Sequence, residues 1–396
     1  MTLLTQRETF STRVVPWADR ARIEPLLARH GHTLRHVEHL ATISQAGGHE
    51  PRLVVTDQDG TAVAAALLED VRHRTWRPGP HTVRLAGHGH ADRLDLPADS
   101  SAAAEALAEG ILAHAQKWPQ WRLQFEQLPR DCRVAQALSS RWPWVADQDG
   151  DAIPVLTWPS ERDGGPWATK KTRNKYRGAI RKLEAVTDDW NVERLHNAAD
   201  IEASLPATLA LRSRREAHQQ RPDAFSRPEM TRAYVDRVGA AAAAGQCETW
   251  LLFAEGQLIA YAVAVLQGRT AHLVDSRIHP GHASCSPGMI LFGSMLTAWY
   301  AEDGLDHVDF GRGINSFKKA FRNHEEPRAR LEAWSSSRLR SRDALLESLD
   351  HVVRGALRAA KARQGRAGRL IFAVRRVQLH VVARRHGERA GGSDEF

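Results

Sequence analysis

The chain has 396 residues, 42 % of them hydrophobic and 26 % charged, with a formal net charge of +8. That is ordinary globular composition, which excludes a disordered or fibrous chain, and at roughly 100–200 residues per domain it predicts two domains or three small ones. No uninterrupted apolar run reaches the ~18 residues of a membrane-spanning helix, MTLLTQRETF is no secretory signal, and three scattered cysteines, Cys132, Cys247 and Cys285, form neither a disulfide framework nor a cysteine zinc site.

A reducing cytoplasm is therefore the expected location. The charge is uneven. Ser335 to Phe396 carries 14 Lys+Arg against 6 Asp+Glu, the whole excess of the chain. This predicts a neutral folded body with a basic appendage.

In chain order, RLVVTDQDGTAVAAALLED (Arg52–Asp70) reads as two apolar strands around Asp59-Gly60, a hairpin turn signal. A strand HTVRLAG (His81–Gly87), a helix from about Ser101 to Trp118 and a strand WRLQFEQL (Trp121–Leu128) follow. The same order returns later in the chain. TWLLFAEGQLIAYAVAVLQG (Thr249–Gly268) turns at Glu255-Gly256. It is followed by TAHLVDSRI (Thr270–Ile278), a helix from about Pro287 to Glu302, and HVDFGRG (His307–Gly313). Hairpin, strand, helix, strand, twice over, predicts internal repetition at domain scale.

Between the halves SERDGGPW (Ser160–Trp167) reads as a linker. Ala168–Val186 follows as a helix with Thr169 at its N-cap, one face carrying Tyr176, Ile180 and Leu183 and another Lys170, Arg173, Arg177 and Arg181. Further helices are expected around Pro206–Gln219 and Pro228–Ala244. The domains expected are 1–160, 161–335 and a basic helical tail, 336–396. In the tail, Leu345, Leu346, Leu349, Val352 and Val353 fit a helix packed on the body. Leu370, Val374, Val377 and Val381 form a second stripe beside Arg375, Arg376, Arg384 and Arg385. Such a helix packs on its own protein or lies on a membrane surface. Gly387–Phe396 is expected to be disordered.

Two stretches could carry chemistry. In DSRIHPGHASCSPGMILFGSML (Asp275–Leu296), Ser286 suits an N-cap, Pro287 the first helical position, and Gly288 admits a ligand close to the backbone. Free amides there would favour a phosphate. In VDFGRGINSFKKAF (Val308–Phe321), Gly311 and Gly313 flank Arg312, which can grip a carboxylate or phosphate, and Lys318 and Lys319 can reach an anion. Asp309 could orient an amine, accept a proton, or pair with one of these cations. Phe317 and Phe321 are expected in the core. His88, His90 and Asp92 in GHGHADRLD lack further ligands at metal spacing, so no metal is expected. Ser286 lacks a nucleophile elbow, and there is no phosphate-binding glycine fingerprint.

These motifs in this order resemble the GNAT-type acyltransferases of the CelD-like cellulose-biosynthesis group, which belong with the FemAB peptidyltransferases. The resemblance is carried by KKTRNKYRGAIRKLE, WLLFAEGQLIAYAVAVLQG, SPGMILFGSML and VDFGRGINSFKKAF, with VRLAGHGHADRLDLP and WRLQFEQLP in the first half, and covers Val14 to Trp334. It implies an α/β (α+β) chain of tandem GNAT-like domains, mixed and mostly antiparallel sheets flanked by helices. It implies an acyl-CoA co-substrate with no permanently bound cofactor, its pyrophosphate resting on Ser286, Pro287, Gly288 and Met289 with Arg312 nearby. The acceptor would be a small amine or amino sugar, attacking directly. Asp275 and Asp309 would be candidate base or amine-positioning groups, and Lys318 would contact donor or acceptor phosphate. The alternative donor is an aminoacyl-tRNA, its phosphates met by the Lys170–Lys182 helix and the basic tail; a third reading is a membrane-associated scaffold without activity. One departure stands out. Relatives often carry Tyr where this chain has Phe317, so a phenol that could protonate the leaving group is missing.

Overall fold

In the computed structural model of the chain, residues 10–71, 80–159, 167–220, 223–315 and 317–362 are described. The second tail stripe, Gly387–Phe396, and most of the expected linker lie outside them. The chain divides into Met1–Ala333 and Trp334–Phe396.

The first unit begins with β1 (Phe10–Val15), α1 (Glu24–Arg29) and α2 (Leu34–Ala46). The hairpin β2 (Pro51–Gln58) and β3 (Thr61–Val71), β4 (His81–Leu85), α3 (Ser101–Ala115), β5 (Trp121–Pro129), α4 (Arg133–Arg141) and β6 (Val145–Asp149) follow. Next come β7 (Ile153–Thr157), α5 (Lys170–Glu184), β8 (Trp190–Leu195), α6 (Ala198–Gln219) and α7 (Pro228–Ala243). The second hairpin is β9 (Cys247–Ala254) and β10 (Gln257–Gln267), then β11 (Thr270–Ile278), α8 (Pro287–Glu302), β12 (His307–Asp309), α9 (Lys318–Phe321), β13 (His324–Glu326) and β14 (Arg328–Trp334).

Two sheets result, ordered β1-β2-β3-β4-β5-β14-β6 and β13-β7-β12-β11-β10-β9-β8. The expected repetition is there: β1 to β5 correspond in order and direction to β8 to β12. In each set the first four strands are antiparallel and the last pair, β4 with β5 and β11 with β12, is parallel. Parallel neighbours need a crossover, which α3 and α8 supply. Both hairpins turn through consecutive left-handed residues, Asp59-Gly60 at φ 51° and 80° and Glu255-Gly256 at 51° and 69°.

The lobes exchange strands across the expected boundary at residue 160. β7, ahead of it, lies in the second sheet, and β14, from the end of the second half, lies between β5 and β6 in the first. Short apolar strands carry no local signal for their sheet; pairing partners decide.

One core cluster fills the first lobe, from Leu53 and Leu68 through Leu107, Ile111 and Phe125 to Leu331 of β14. The second sheet is covered on both faces. Ala260, Ala262 and Ala264 of β10 face α5 and α8 with Leu183, Ile290 and Trp299, while Tyr261 and Val263 face α6 and α7 with Leu205 and Val238. The strand's side-chain alternation makes both layers from one segment.

Helix α5 starts as expected, Thr169 Oγ1 accepting from the Thr172 amide at 3.2 Å. Helix α6 starts earlier than Pro206, at an Asn197 cap that accepts from the Asp200 amide at 2.8 Å. Pro206 is tolerated inside the helix because it is exposed, so the carbonyl it fails to bond meets water.

In the second unit, helix α10 (Ser337–Ala362) follows Trp334, whose indole donates to Asp343 Oδ2 at 3.0 Å. Leu345, Leu346, Leu349 and Val352, read as a packed stripe, are exposed instead. No helix among the described residues is long and apolar enough to cross a membrane.

Candidate active site

The parallel ladder between β11 and β12 is short. It pairs Thr270 with His307, Ala271 with Val308 and His272 with Asp309, then stops. β11 continues to Ile278, and no described strand pairs with that edge beyond His272. β12 instead bends away through Gly311 and Gly313, at φ 70° and 80°. A V-shaped opening is left, with unpaired backbone along one arm.

The glycine at 311 is required twice over. Its φ disfavours a side chain, and a Cβ there would sit 2.5 Å from Asp92 Oδ2. Asp309 Oδ1 accepts from the Gly311 amide at 2.8 Å, fixing the start of the bend. Lys318 fixes its middle: Nζ donates to the carbonyls of Gly311 at 3.1 Å and Arg312 at 2.9 Å. Burial pushes the Lys318 pKa down, while Asp92 and Asp309 oppose that shift. The lysine is a clamp on its own loop, its ammonium turned to backbone carbonyls.

At the apex the side chains meet. Asp309 is 3 % exposed. Its Oδ2 accepts from Arg93 Nε at 2.5 Å and lies 3.1 Å from His272 Nδ1. Arg93 also pairs with Glu326 at 2.7 Å. Burial alone would raise the Asp309 pKa, but the bond to His272 and the Arg93 charge outweigh it and hold the carboxyl well below its usual range. An ionised carboxylate held by three donors is a poor base. It fixes the imidazole beside it, leaving His272 Nε2 without a partner among the described residues. His272 lines a cavity of about 1320 Å³ whose walls come from both lobes, α2 and the 86–95 loop on one side and α7 and β11 on the other.

The other expected site residues divide. Asp275 does not line this cavity. Its carboxylate is closed off by Arg212 at 2.6 Å, Arg277 at 2.9 Å and the Tyr261 hydroxyl at 2.6 Å. The register break between Val263 and Ala264 of β10 skips Val274, which turns Asp275 onto the Tyr261 face under α6. Arg312 reaches back to the first lobe, donating to the Gly89 carbonyl at 3.3 Å and pairing with Glu126 at 3.4 Å, so its guanidinium is not an open anion receptor.

The helix entry at Ser286–Met289 also differs from expectation. Ser286 takes a left-handed φ of 55° and its side chain does not cap α8. Its amide donates to Ala283, Pro287 has none to give, and the Met289 amide donates back to Ser286. Gly288 lies under an aromatic ring: a Cβ would meet Phe317 Cε2 at 3.3 Å and Ile278 Cγ2 at 3.4 Å. Phe317 packs against the core, partly buried, edge-on to Phe292 and Phe321 at 4.9 and 5.2 Å. This terminus offers a dipole and the Gly288 amide, with no wider nest of donors. No group of three or more metal-ligating side chains occurs among the described residues.

Sequence reading missed His272. In TAHLVDSRI it looks like one more outward strand residue, and only the register of β11 against β12 sets it opposite Asp309.

A further feature is the surface of α5. Its seven basic side chains stand against one acid, Glu184. None of the seven forms an ion pair with another described residue, and all but Arg173 are exposed. The helix packs on α9, which carries Lys318, Thr172 Oγ1 donating to the Ala320 carbonyl at 2.5 Å.

Comparison with known proteins agrees with this architecture. Residues 170–319 match the family model described as an acetyltransferase (GNAT) domain. No curated protein matches. Among solved structures, the C-terminal domain of a protein described as a lysylphosphatidylglycerol synthetase from Agrobacterium fabrum is similar with TM-score 0.53 and 14 % identity, over 85 % of this chain and 96 % of that one. FemX is similar with TM-score 0.52 and 11 % identity, over 74 % and 90 %. A tandem GNAT protein from the clavulanic acid biosynthesis pathway has TM-score 0.47 and 13 % identity, over 83 % and 99 %. At such identities the likeness to the first two is one of fold. The chain thus carries a GNAT acetyltransferase-type domain within a tandem, mostly antiparallel α/β architecture.

Proposed function

We propose that the protein is an acyltransferase that moves an acyl group from acyl-CoA to an amine, at the opening between β11 and β12. The observation that carries this is the His272–Asp309 pair at the apex, beside an unpaired strand edge. A donor lying along that edge would hydrogen-bond to free backbone groups of β11, and an amide there would stabilise the oxyanion. The acceptor enters from the inter-lobe cavity. His272 Nε2 takes a proton from its ammonium form, with Asp309 holding the ring and stabilising the imidazolium. The neutral amine attacks the thioester carbon; the new C–N bond forms as the C–S bond breaks. The proton lost on amide formation goes to the thiolate by way of solvent, since Phe317 offers no hydroxyl. Lys318 acts through the loop that it clamps. Of the groups named from sequence, Asp309 and Lys318 keep supporting roles, Arg312 becomes a tie between lobes, and Asp275 a structural ion pair. The motif order further leads us to group the chain with the CelD-like proteins.

An aminoacyl-tRNA donor is favoured by one observation, the basic face of α5, without ion pairs among the described residues, on a helix that packs against α9. Six exposed cations with no ion-pair partner among the described residues suit a polyphosphate larger than CoA. The deciding experiment offers purified protein acetyl-CoA or aminoacyl-tRNA with a panel of amines and follows product by mass. Transfer from acetyl-CoA that His272→Gln abolishes supports the first reading; transfer from charged tRNA alone selects the second. A protein that binds and uses neither overturns both.

A further inference from the structure

The cavity that holds His272 contains a second, separate constellation. Arg237, on α7 of the second lobe, donates from Nη1 to His39 Nε2 on α2 of the first lobe at 3.1 Å. That is its one hydrogen bond among the described residues, and no carboxylate pairs with it there. Nearly every other arginine lining the cavity is engaged: Arg93 by Asp309 and Glu326, Arg130 by Asp147, Arg328 by Glu326. Enclosure lowers the Arg237 pKa, and the Asp92 charge opposes this.

His39 must accept from Arg237 and is therefore neutral. His36, one turn earlier on the same face of α2, is also enclosed, and both imidazoles feel the Arg237 charge. His36 is electrostatically coupled to His272 as well, so this cluster and the apex of the opening share one chamber. A guanidinium with open donors, flanked by two neutral imidazoles in a partly dehydrated wall, is a receptor for a negative group.

We propose that Arg237, with His39 and His36, binds an anionic group of the acceptor, a carboxylate or a phosphate, and so presents its amine to His272. The substrate class is an amine that carries its own anion, which sharpens the function proposed above and rests on it for the role of His272. The anion gives Arg237 the counter-charge that the protein withholds. It spans both lobes, since Arg237 and the histidines come from opposite walls.

The test uses the full chain and binding alone, so its failure leaves acyl transfer standing, and a failure of transfer leaves it interpretable. Calorimetry compares glycylglycine with glycinamide, and glucosamine 6-phosphate with glucosamine, in wild type and Arg237→Met. Within at least one pair the charged member is expected to bind more tightly by about tenfold to a hundredfold, a preference lost in Arg237→Met. Which pair shows it identifies the anion. Equal binding within both pairs, or a preference that survives Arg237→Met, overturns the proposal. Wild type alone gives a check that needs no variant: in protein with labelled histidines, inorganic phosphate or acetate should shift the ring resonances of His39 and His36. Resonances that stay unmoved at high inorganic phosphate and at high acetate alike overturn it equally.

Discussion

His272 and Asp309 are joined twice, once as the last backbone pair of a three-residue parallel ladder and once through their side chains, Nδ1 to Oδ2 at 3.1 Å. The point where the sheet opens is therefore also the point where an imidazole is held by a carboxylate. Replacing His272 by Gln removes the base and keeps a polar side chain of similar reach. Transfer should fall by about 10²–10⁴-fold while the thermal transition stays near that of wild type. Activity measurements beside circular dichroism check both halves; undiminished transfer would remove His272 from the chemistry.

Asp309→Asn tests the support beneath it. The change strips the buried counter-charge from Arg93, which retains Glu326. A loss of about 3 kcal/mol in urea unfolding is expected, at the lower end for a broken buried pair, together with impaired transfer. A variant of unchanged stability would mean that Arg93 does not depend on this carboxylate.

Gly311→Ala should destabilise through both φ and contact, since its Cβ would lie 2.5 Å from Asp92 Oδ2. About 1–3 kcal/mol is expected for the strained backbone. Adding Asp92→Ala should restore part of that and not all, because the φ of 70° remains. Full recovery in the double variant would assign the whole cost to the clash.

Lys318→Ala removes two bonds from a charged donor to the Gly311 and Arg312 carbonyls. The fold should persist with stability lower by about 1.5–3 kcal/mol, and transfer should drop because the opening loses its shape. A fully active variant would show that the bend holds without its clamp.

Acid should weaken the fold in two stages. Burial, then the Arg237 charge, pushes His36 down to about 3 and His39 to about 2, from an ordinary 6.5. Between those values the unfolded chain binds protons that the native state refuses. The stability these residues contribute is thus complete above pH 6.5 and is lost progressively as pH falls below it. Asp309, whose pKa is depressed, adds a later loss below the ordinary carboxylate range near 4. Melting temperatures measured from pH 7.5 to 4.5 should decline in wild type and decline less in His36→Gln/His39→Gln. A level wild-type profile would contradict the assigned states.

The elements were legible because their signals are local. Asp59-Gly60 and Glu255-Gly256 announce hairpins, and Thr169 announces α5. The site was less so. Counting by twos from Ala271 and Leu273 sends Asp275 to the α8 side of the sheet, and the one-residue bulge at Val274 reverses it. Arg312 and Lys318 read as anion receptors because a sequence shows charge and not what the charge already touches: Glu126 and the Gly89 carbonyl for one, two loop carbonyls for the other. His272 carried no motif at all. Its meaning depends on a strand more than thirty positions away settling into one particular register.

The exchange of β7 and β14 has a consequence for how the molecule is made. A chain emerging from the ribosome can form β1 to β5 early, yet the neighbour of β5 is Arg328–Trp334, nearly the last part of the first unit to be synthesised. Until then the first lobe waits with a bare sheet edge, exposed to pairing with other nascent chains. Neither half should therefore be expressible as a well-behaved fragment, and a stop codon anywhere before β14 leaves the N-terminal lobe as incomplete as the C-terminal one.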